Sequence, residues 1–233
     1  MALLESVVSD LGPPNPWFSW DWVVANKSDL LTAVEQQVLI TIAAVGLATI
    51  VSFPLALLAR KFRRAESFIL TLAGVLYTIP ALALIAALYP LFGFSAWPVI
   101  VALTVYALVV LVRNMIVGLD GVPADVVDAA RGMGFSPSRT LWRVEVPLAL
   151  PAILAGIRIA TVSTIGLVTV GYLVGYGGLG QIISYQFQLP IGRRGAVAAI
   201  IGCILLAVIA DVLLLLLQRA LTPWARRRRV ATA

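Results

Sequence analysis

The chain has 233 residues, of which 61% are hydrophobic and 12% charged, and its formal net charge is +6. Because a soluble domain of this length would carry roughly 25% charged residues, the composition is typical of a membrane protein. At about 20 apolar residues per spanning helix, the length suits one domain with five or six spans. The chain has no histidine and one cysteine, which excludes histidine-based catalysis, histidine-ligated metals and an internal disulfide.

The basic residues argue against two further function classes. Neither of the two lysines, Lys27 and Lys61, lies in a GxxxxGK(S/T) phosphate loop, so we predict no ATP hydrolysis by that route and no cofactor or metal. Nucleic-acid binding is disfavoured, because the basic residues lie at the ends of apolar runs and not on one polar face.

The N-terminal segment, residues 1–34, is predicted to be external. It begins with acidic residues and no basic ones, unlike a cleavable signal peptide. Four aromatic residues then cluster near Asp21. We predict an interfacial helix or loop held by these rings, with an unstructured tail as the alternative. The four residues are Trp17, Phe18, Trp20 and Trp22.

Five apolar runs predict an all-α integral membrane protein with about five transmembrane helices, in a domain of residues 35–221. The runs are 38–59, 68–92, 97–119, 148–174 and 196–217. The second run contains Pro80 and Pro90, which predict a kink. A basic tail, residues 222–233, follows the last run, and its arginines 226–229 are predicted to contact anionic lipid.

The distribution of Lys and Arg predicts the orientation in the membrane. Thirteen of these residues fall on one side of the predicted spans and three on the other. By the positive-inside rule, the side with thirteen is cytoplasmic, which places the N-terminus outside and the C-terminus inside. We therefore expect a multi-pass protein of the bacterial plasma membrane.

The cytoplasmic loop, residues 120–147, is predicted to form a helix, a glycine turn and a second short helix. Pro123 suits the first turn of the first helix, and Gly134 suits the turn that follows it. Ser136 is placed to cap the second helix, and Pro147 is predicted to open the next span. Such a loop would present a rigid surface to the cytoplasm.

Two opposite charges lie deep in the apolar runs. Arg158 is about 15 Å and Asp211 about 12 Å from the cytoplasmic face at 1.5 Å per residue. Because unpaired charges are costly at this depth, we predict an ion pair between them. Its predicted role is to staple two spans, with a gating role during transport as the alternative.

The loop contains Asp128-Ala129-Ala130, then Gly134, then Val144-Glu145-Val146-Pro147. Its spacing resembles the EAA motif of binding-protein-dependent ABC importer permeases, with conservative departures at Asp128, Val144 and Val146. The resemblance implies a type I ABC importer permease fold, in which this loop is the coupling helix that docks on an ATPase. The residues it implies for ATPase coupling are Asp128, Ala129, Ala130, Gly134, Val144, Val146 and Pro147.

Wider segments are similar to the glycine betaine, carnitine and choline (osmoprotectant) permeases. They are 77–93, 129–134, 144–162 and 175–181, and the similarity spans residues 36–221. It implies a second permease chain, an external substrate-binding protein and separate ATPase subunits that hold ATP and Mg²⁺. A methionine-type amino-acid permease is one alternative. A secondary transporter is another, although the sequence shows no convincing inverted repeat.

Tyr77, Pro80 and Tyr106 are candidates to line the pathway. For a quaternary ammonium solute, tyrosine rings supply cation–π attraction without a fixed anion that would trap it. The alternative is that these rings serve helix packing or the membrane interface.

Residues 175–180 match GxGxxG, but they follow a spanning helix and no acid lies about 20 residues further on. We therefore predict an external turn and no dinucleotide site. The stretch 181–194 is predicted to lie at or partly re-enter the outer surface, where the resemblance places the binding protein.

Overall fold

The computed structural model describes residues 16–189 and 192–224, and every regular element in these ranges is helical. The helices are α1 (Trp20–Ala25), α2 (Lys27–Lys61), α3 (Arg63–Thr78), α4 (Ala81–Phe92), α5 (Trp97–Asp120), α6 (Ala124–Gly132), α7 (Pro137–Thr140), α8 (Val146–Val168), α9 (Leu179–Phe187) and α10 (Arg193–Leu221). A π-helical segment, Leu141–Glu145, joins α7 to α8, and a 3-10 segment, Thr169–Val174, extends α8.

The predicted class, an all-α membrane protein with about five spans, is confirmed. Four stretches of the described chain are long and apolar enough to cross a membrane: α2, α5, the continuous helix Pro137–Val174, and α10. Helices α3 and α4 form a fifth span when they are taken together, although they meet at an angle of 94°.

The predicted kink in the run 68–92 is present at Pro80, where it is a full break that divides the run into two helices. Ile79 and Pro80 both have extended backbones, with ψ of 126° and 133°. Proline lacks an N–H group and crowds the residue before it out of helical geometry, so a helix ends here. Pro90, in contrast, lies inside α4 without a break.

Two helices begin well before the apolar runs that predict them. Helix α2 begins at Lys27, so the predicted domain boundary at 34/35 falls inside it. The helix that contains the fourth span begins at Pro137, ten residues before Pro147. In the π-helical segment the N–H of Val146 bonds to the carbonyl of Leu141, and this wider turn carries the helix past Pro147, which has no N–H.

Helices α2, α5 and α8 form the centre of the bundle, with α5 packed on both others. Small residues allow the close approach of α5 and α8: a Cβ added at Gly118 would lie 2.9 Å from the Cβ of Ala152. The largest apolar cluster at the end that carries the 120–147 loop contains Met115, Leu119 and Ile153. We call this the loop end of the bundle. It gives the loop a packed base.

Candidate functional site

Helix α6 projects from the loop end and is closed by a glycine turn. Gly134 has φ of +82°, a backbone conformation that strains other residues. Its N–H donates to the carbonyl of Arg131 at 2.9 Å, and the N–H of Phe135 donates to that of Ala130 at 3.1 Å. This pair of bonds is a Schellman motif, which satisfies the last carbonyls of the helix. The turn is thus a fixed structure.

Helix α7 follows the turn directly and is tied to it. The hydroxyl of Ser136 accepts a hydrogen bond from the N–H of Arg139 at 3.4 Å. The guanidinium of Arg139 also lies 4.3 Å from the centre of the Phe135 ring, a cation–π contact. Helix α7 is therefore held by its N-cap, Ser136, and by the contact of Arg139 with the turn.

The seven residues assigned to ATPase coupling by resemblance fall into two groups. Asp128, Ala129 and Gly134 are exposed on α6 and its turn, whereas Val144, Val146 and Pro147 are half-buried where the spanning helix passes through its π-turn. Ala130 is only 2% exposed, so it packs inside the loop. Of the two alanines, only Ala129 is exposed on the surface of the loop, and the coupling role of both stays a prediction.

An ion cluster that the sequence did not predict lies at the base of the loop. The Nε of Arg60 lies 2.7 Å from a carboxylate oxygen of Asp120, and its Nη1 lies 2.6 Å from one of Glu145. These residues are 60 and 85 positions from Arg60 along the chain. Because the separations are so large, no local pattern could have indicated the cluster.

The structure brings Arg158 and Asp211 together between α8 and α10. The Nε of Arg158 donates to one carboxylate oxygen of Asp211, and its Nη2 donates to the other at 2.7 Å. This two-bond geometry is the strongest that a guanidinium and a carboxylate form. Both side chains are 32% exposed on the monomer surface. Their role as a staple or a gate remains a prediction.

Tyr77, Pro80 and Tyr106 meet at the break between α3 and α4. The tyrosine ring centres are 5.3 Å apart, and the hydroxyl of Tyr106 donates to the carbonyl of Ile79, the residue before Pro80. Tyr77 is 52% exposed but Tyr106 only 7%. In this conformation Tyr106 is thus buried and braces the break, and its place in the pathway stays a prediction.

We expect Tyr106→Phe to destabilise the protein by about 1 kcal/mol, because the carbonyl of Ile79 loses its donor while the ring stays. Thermal unfolding in detergent measures this as a lower midpoint. Tyr77→Phe is the matched control, since Tyr77 is exposed, and it should leave the midpoint unchanged. Equal midpoints for the two variants would contradict the bracing role.

The glycine-rich turn at 175–178 is held by the half-buried side chain of Gln36 and the buried side chain of Gln37. Gln37, fully buried in α2, donates to the carbonyl of Ile165 at 2.5 Å and accepts from the N–H of Leu179 at 3.0 Å. Gly178, at φ +53°, leaves no room for a Cβ, which would lie 2.3 Å from the Gln37 side-chain oxygen. The glycines thus serve close packing. Sequence reasoning missed Gln37, although a polar residue on the buried face of a span signals such a partner.

The N-terminal aromatic segment contains helix α1. Ser19 caps α1, and the guanidinium of Arg193 lies 5.2 Å from the ring centre of Trp17. The stretch 181–194 forms α9 and the start of α10, with residues 190 and 191 outside the described ranges. Residues 1–15 and 225–233 also lie outside them, including the arginines 226–229.

The described residues contain no group of three or more His, Cys, Asp or Glu side chains that could hold a metal ion.

Residues 37–227 match the family described as the inner membrane component of binding-protein-dependent transport systems. Among curated proteins, the chain is 35% identical over 203 residues to the glycine betaine/carnitine/choline transport system permease protein OpuCD of Bacillus subtilis, covering 87% of this chain and 89% of that protein. It is 34% identical over 208 residues to the choline transport system permease protein OpuBB of the same organism, covering 87% and 93%.

A relative from another organism is equally similar. The chain is 35% identical over 207 residues to the osmoprotectant import permease protein OsmW of Salmonella typhimurium, covering 87% of this chain and 96% of that protein. Among solved structures, an inward-facing conformation of the MetNI methionine ABC transporter matches with a TM-score of 0.71 at 23% identity, over 83% of this chain and 96% of that one. The structural match shows the fold, which is that of a type I ABC importer permease.

Proposed function

We propose a quaternary ammonium osmoprotectant as the solute of this chain. The premise is that the chain belongs to the family of inner membrane components of binding-protein-dependent transport systems. The chain is the permease subunit of an ABC importer, a non-catalytic protein of the inner membrane. The observation that supports the solute is the 34–35% identity, over 87% of the chain, to three permeases named for glycine betaine, choline, carnitine or osmoprotectants.

The charges in the predicted spans suit such a solute. A quaternary ammonium ion has no N–H group with which to donate a hydrogen bond. Aromatic rings attract it through cation–π interactions. Asp211 already shares both its oxygens with Arg158, which leaves no free carboxylate at that site to trap a cation. The exposed ring of Tyr77 remains a candidate for the pathway.

The partners follow from the loop and from the family. We propose that α6, with Asp128 and Ala129 exposed, docks on a separate ATPase that holds ATP and Mg²⁺. A second permease chain would complete the pathway, and an external binding protein would deliver the solute at the end of the bundle that carries the turn at residues 175–178. The rigid Schellman turn after α6 supports this role, because a projection that transmits force must not flex.

Solute-dependent transport tests the proposal. The chain is co-purified from its native host with its ATPase and binding protein and reconstituted in liposomes containing ATP. We expect uptake of glycine betaine, choline or carnitine, and stimulation of ATP hydrolysis by the same solutes, but neither effect with methionine. Stimulation by methionine alone would overturn the assignment in favour of an amino-acid permease, the function of the MetNI transporter that shares the fold.

The same liposomes distinguish an importer from a secondary transporter. Purified alone, the chain should bind no ATP, and in the complete complex uptake should persist when ion gradients are collapsed by ionophores. Uptake that follows an ion gradient and needs no ATP would contradict the proposed function.

A further inference from the structure

A single guanidinium joins both ends of the 120–147 loop to a helix outside the loop. Asp120 is the last residue of α5, where the chain enters the loop, and Glu145 is the last residue of the π-helical segment, where the chain leaves it. Arg60 comes from the last turn of α2. Its two hydrogen bonds, at 2.7 and 2.6 Å, go one to each end.

The three side chains differ in exposure in a way that fits a bridging role. Glu145 is 12% exposed, Arg60 27% and Asp120 55%. The inner bond is therefore shielded from water, while the outer one lies at the rim. A guanidinium is planar and directs several N–H groups at fixed angles, so it can hold two carboxylates at once, which a lysine cannot do with the same rigidity.

A second contact runs in the same direction. The ring of Phe53 in α2 stacks on that of Trp142 in the π-helical segment, with centres 5.2 Å apart. Phe53 also packs against the apolar cluster that contains Met115 and Leu119. Helix α2 thus contacts the C-terminal end of the loop through Glu145 and Trp142, and the N-terminal end of the loop through Asp120.

We propose that Arg60 is a positioning residue for energy coupling: it fixes the two ends of the loop to each other and to α2, so that movement imposed on α6 by the ATPase reaches three helices together. The hydrogen bonds of Arg60 go to the last residue of α5 and to the π-helical segment, and not to α6. Without Arg60, the loop would still dock on the ATPase, but its two ends could move apart. The movement of α6 would then deform the loop and would not reach the spanning helices. This inference rests on the proposed docking of an ATPase at α6.

The test compares transport with hydrolysis in Arg60→Gln. The variant is purified with its ATPase and binding protein, and uptake and ATP hydrolysis are measured in the same liposomes. We expect the ATPase content and hydrolysis to remain close to wild type, while solute taken up per ATP falls by about fivefold or more, the low end of typical coupling between sites. Arg60→Lys keeps the charge without the fork and should show a smaller fall.

Arg64→Gln is the matched control, because it makes the same substitution at an exposed position nearby. Like Arg60→Gln, it removes one positive charge from the side predicted to be cytoplasmic, so any effect on membrane topology is the same. It should couple normally. If Arg60 had a purely structural role, Arg60→Gln would reduce the amount of complex, and uptake and hydrolysis would fall in the same proportion. Solute taken up per ATP would then be unchanged, and this result would overturn the proposal. If Arg60→Gln fails to accumulate, Arg60→Lys decides: reduced coupling supports the proposal, and normal coupling refutes it.

The wild-type complex separates this inference from the proposed function. If wild type shows no ATP-driven uptake of any solute, the proposed function fails and the coupling role falls with it. If wild type is coupled and Arg60→Gln couples equally well, the function stands and only the role of Arg60 is wrong.

Discussion

Gly134→Asp should leave the chain inserted in the membrane while the ATPase no longer co-purifies with it, or hydrolyses ATP without moving solute. Gly134 occupies φ of +82°, where a residue with a Cβ is strained by roughly 1–2 kcal/mol. The Schellman bonds around it hold the end of α6, so a strained residue here would shift the surface that carries Asp128 and Ala129. The measurement is ATPase content after purification, together with uptake per ATP.

Two further variants separate backbone strain from the added charge. Gly132→Asp adds the same carboxylate two residues earlier, at an exposed position in α6 with no atom within 4 Å of its Cβ and with an ordinary helical backbone. Gly134→Ala adds the strain without the charge. We expect Gly134→Ala to weaken coupling and Gly132→Asp to affect it less than Gly134→Asp does.

Normal ATPase co-purification and normal uptake in Gly134→Asp would show that the turn is not part of the docking element. An equal loss in Gly132→Asp and Gly134→Asp, with no effect in Gly134→Ala, would assign the effect to charge and not to the turn. Either result would remove the argument that the glycine is needed for its backbone conformation.

The spans that the sequence predicts well are those where local hydropathy decides the structure. The runs 97–119 and 196–217 correspond closely to α5 and α10, because polar or basic residues flank long apolar stretches. Helix α2 begins at Lys27, whereas its apolar run begins only after Gln37, which is polar and yet fully buried, with hydrogen bonds to Ile165 and Leu179. Hydropathy scores such a residue as exposed, and only its distant partners show otherwise.

The same distinction explains what could be anticipated of the candidate sites. The turn at Gly134 depends on local backbone geometry, so its residue type indicates it. The proximity of Arg158 and Asp211 follows from the rarity of charges at that depth, which leaves few possible partners. The Arg60 cluster could not be anticipated, because near the membrane surface many charges are available and neither of its carboxylates is local in sequence.

The Arg158–Asp211 pair gives the second large expected effect: Asp211→Asn should reduce the amount of folded protein in the membrane more than Arg158→Gln does. The asymmetry has a simple cause. A carboxylate left without its partner can bind a proton and become neutral, but a guanidinium cannot lose its proton in a protein. Asp211→Asn therefore leaves a permanent cation at a depth where charge is costly. Membrane abundance should fall several-fold, as destabilised proteins are degraded.

Double variants test the pairing itself. The neutral double Arg158→Gln/Asp211→Asn and the exchanged double Arg158→Asp/Asp211→Arg should both accumulate better than Asp211→Asn, since neither leaves an unpaired charge. If the exchanged double accumulates no better than the single variants, the contact does not contribute to folding. Equal abundance of Asp211→Asn and Arg158→Gln would contradict the argument from protonation.

Transport by the neutral double separates a staple from a gate. Two charges that only join α8 to α10 can be replaced by a neutral pair that keeps the helices in contact, so uptake per ATP should be unchanged once the protein has accumulated. A gate, in contrast, must break and re-form its ion pair during the transport cycle, and a neutral pair would open more readily.

The signature of a gate in the neutral double would be normal abundance combined with ATP hydrolysis that no longer depends on solute. Because both side chains are one-third exposed at the surface of the monomer, the pair lies where a second permease chain or the pathway could reach it, which makes this measurement the one that assigns its role.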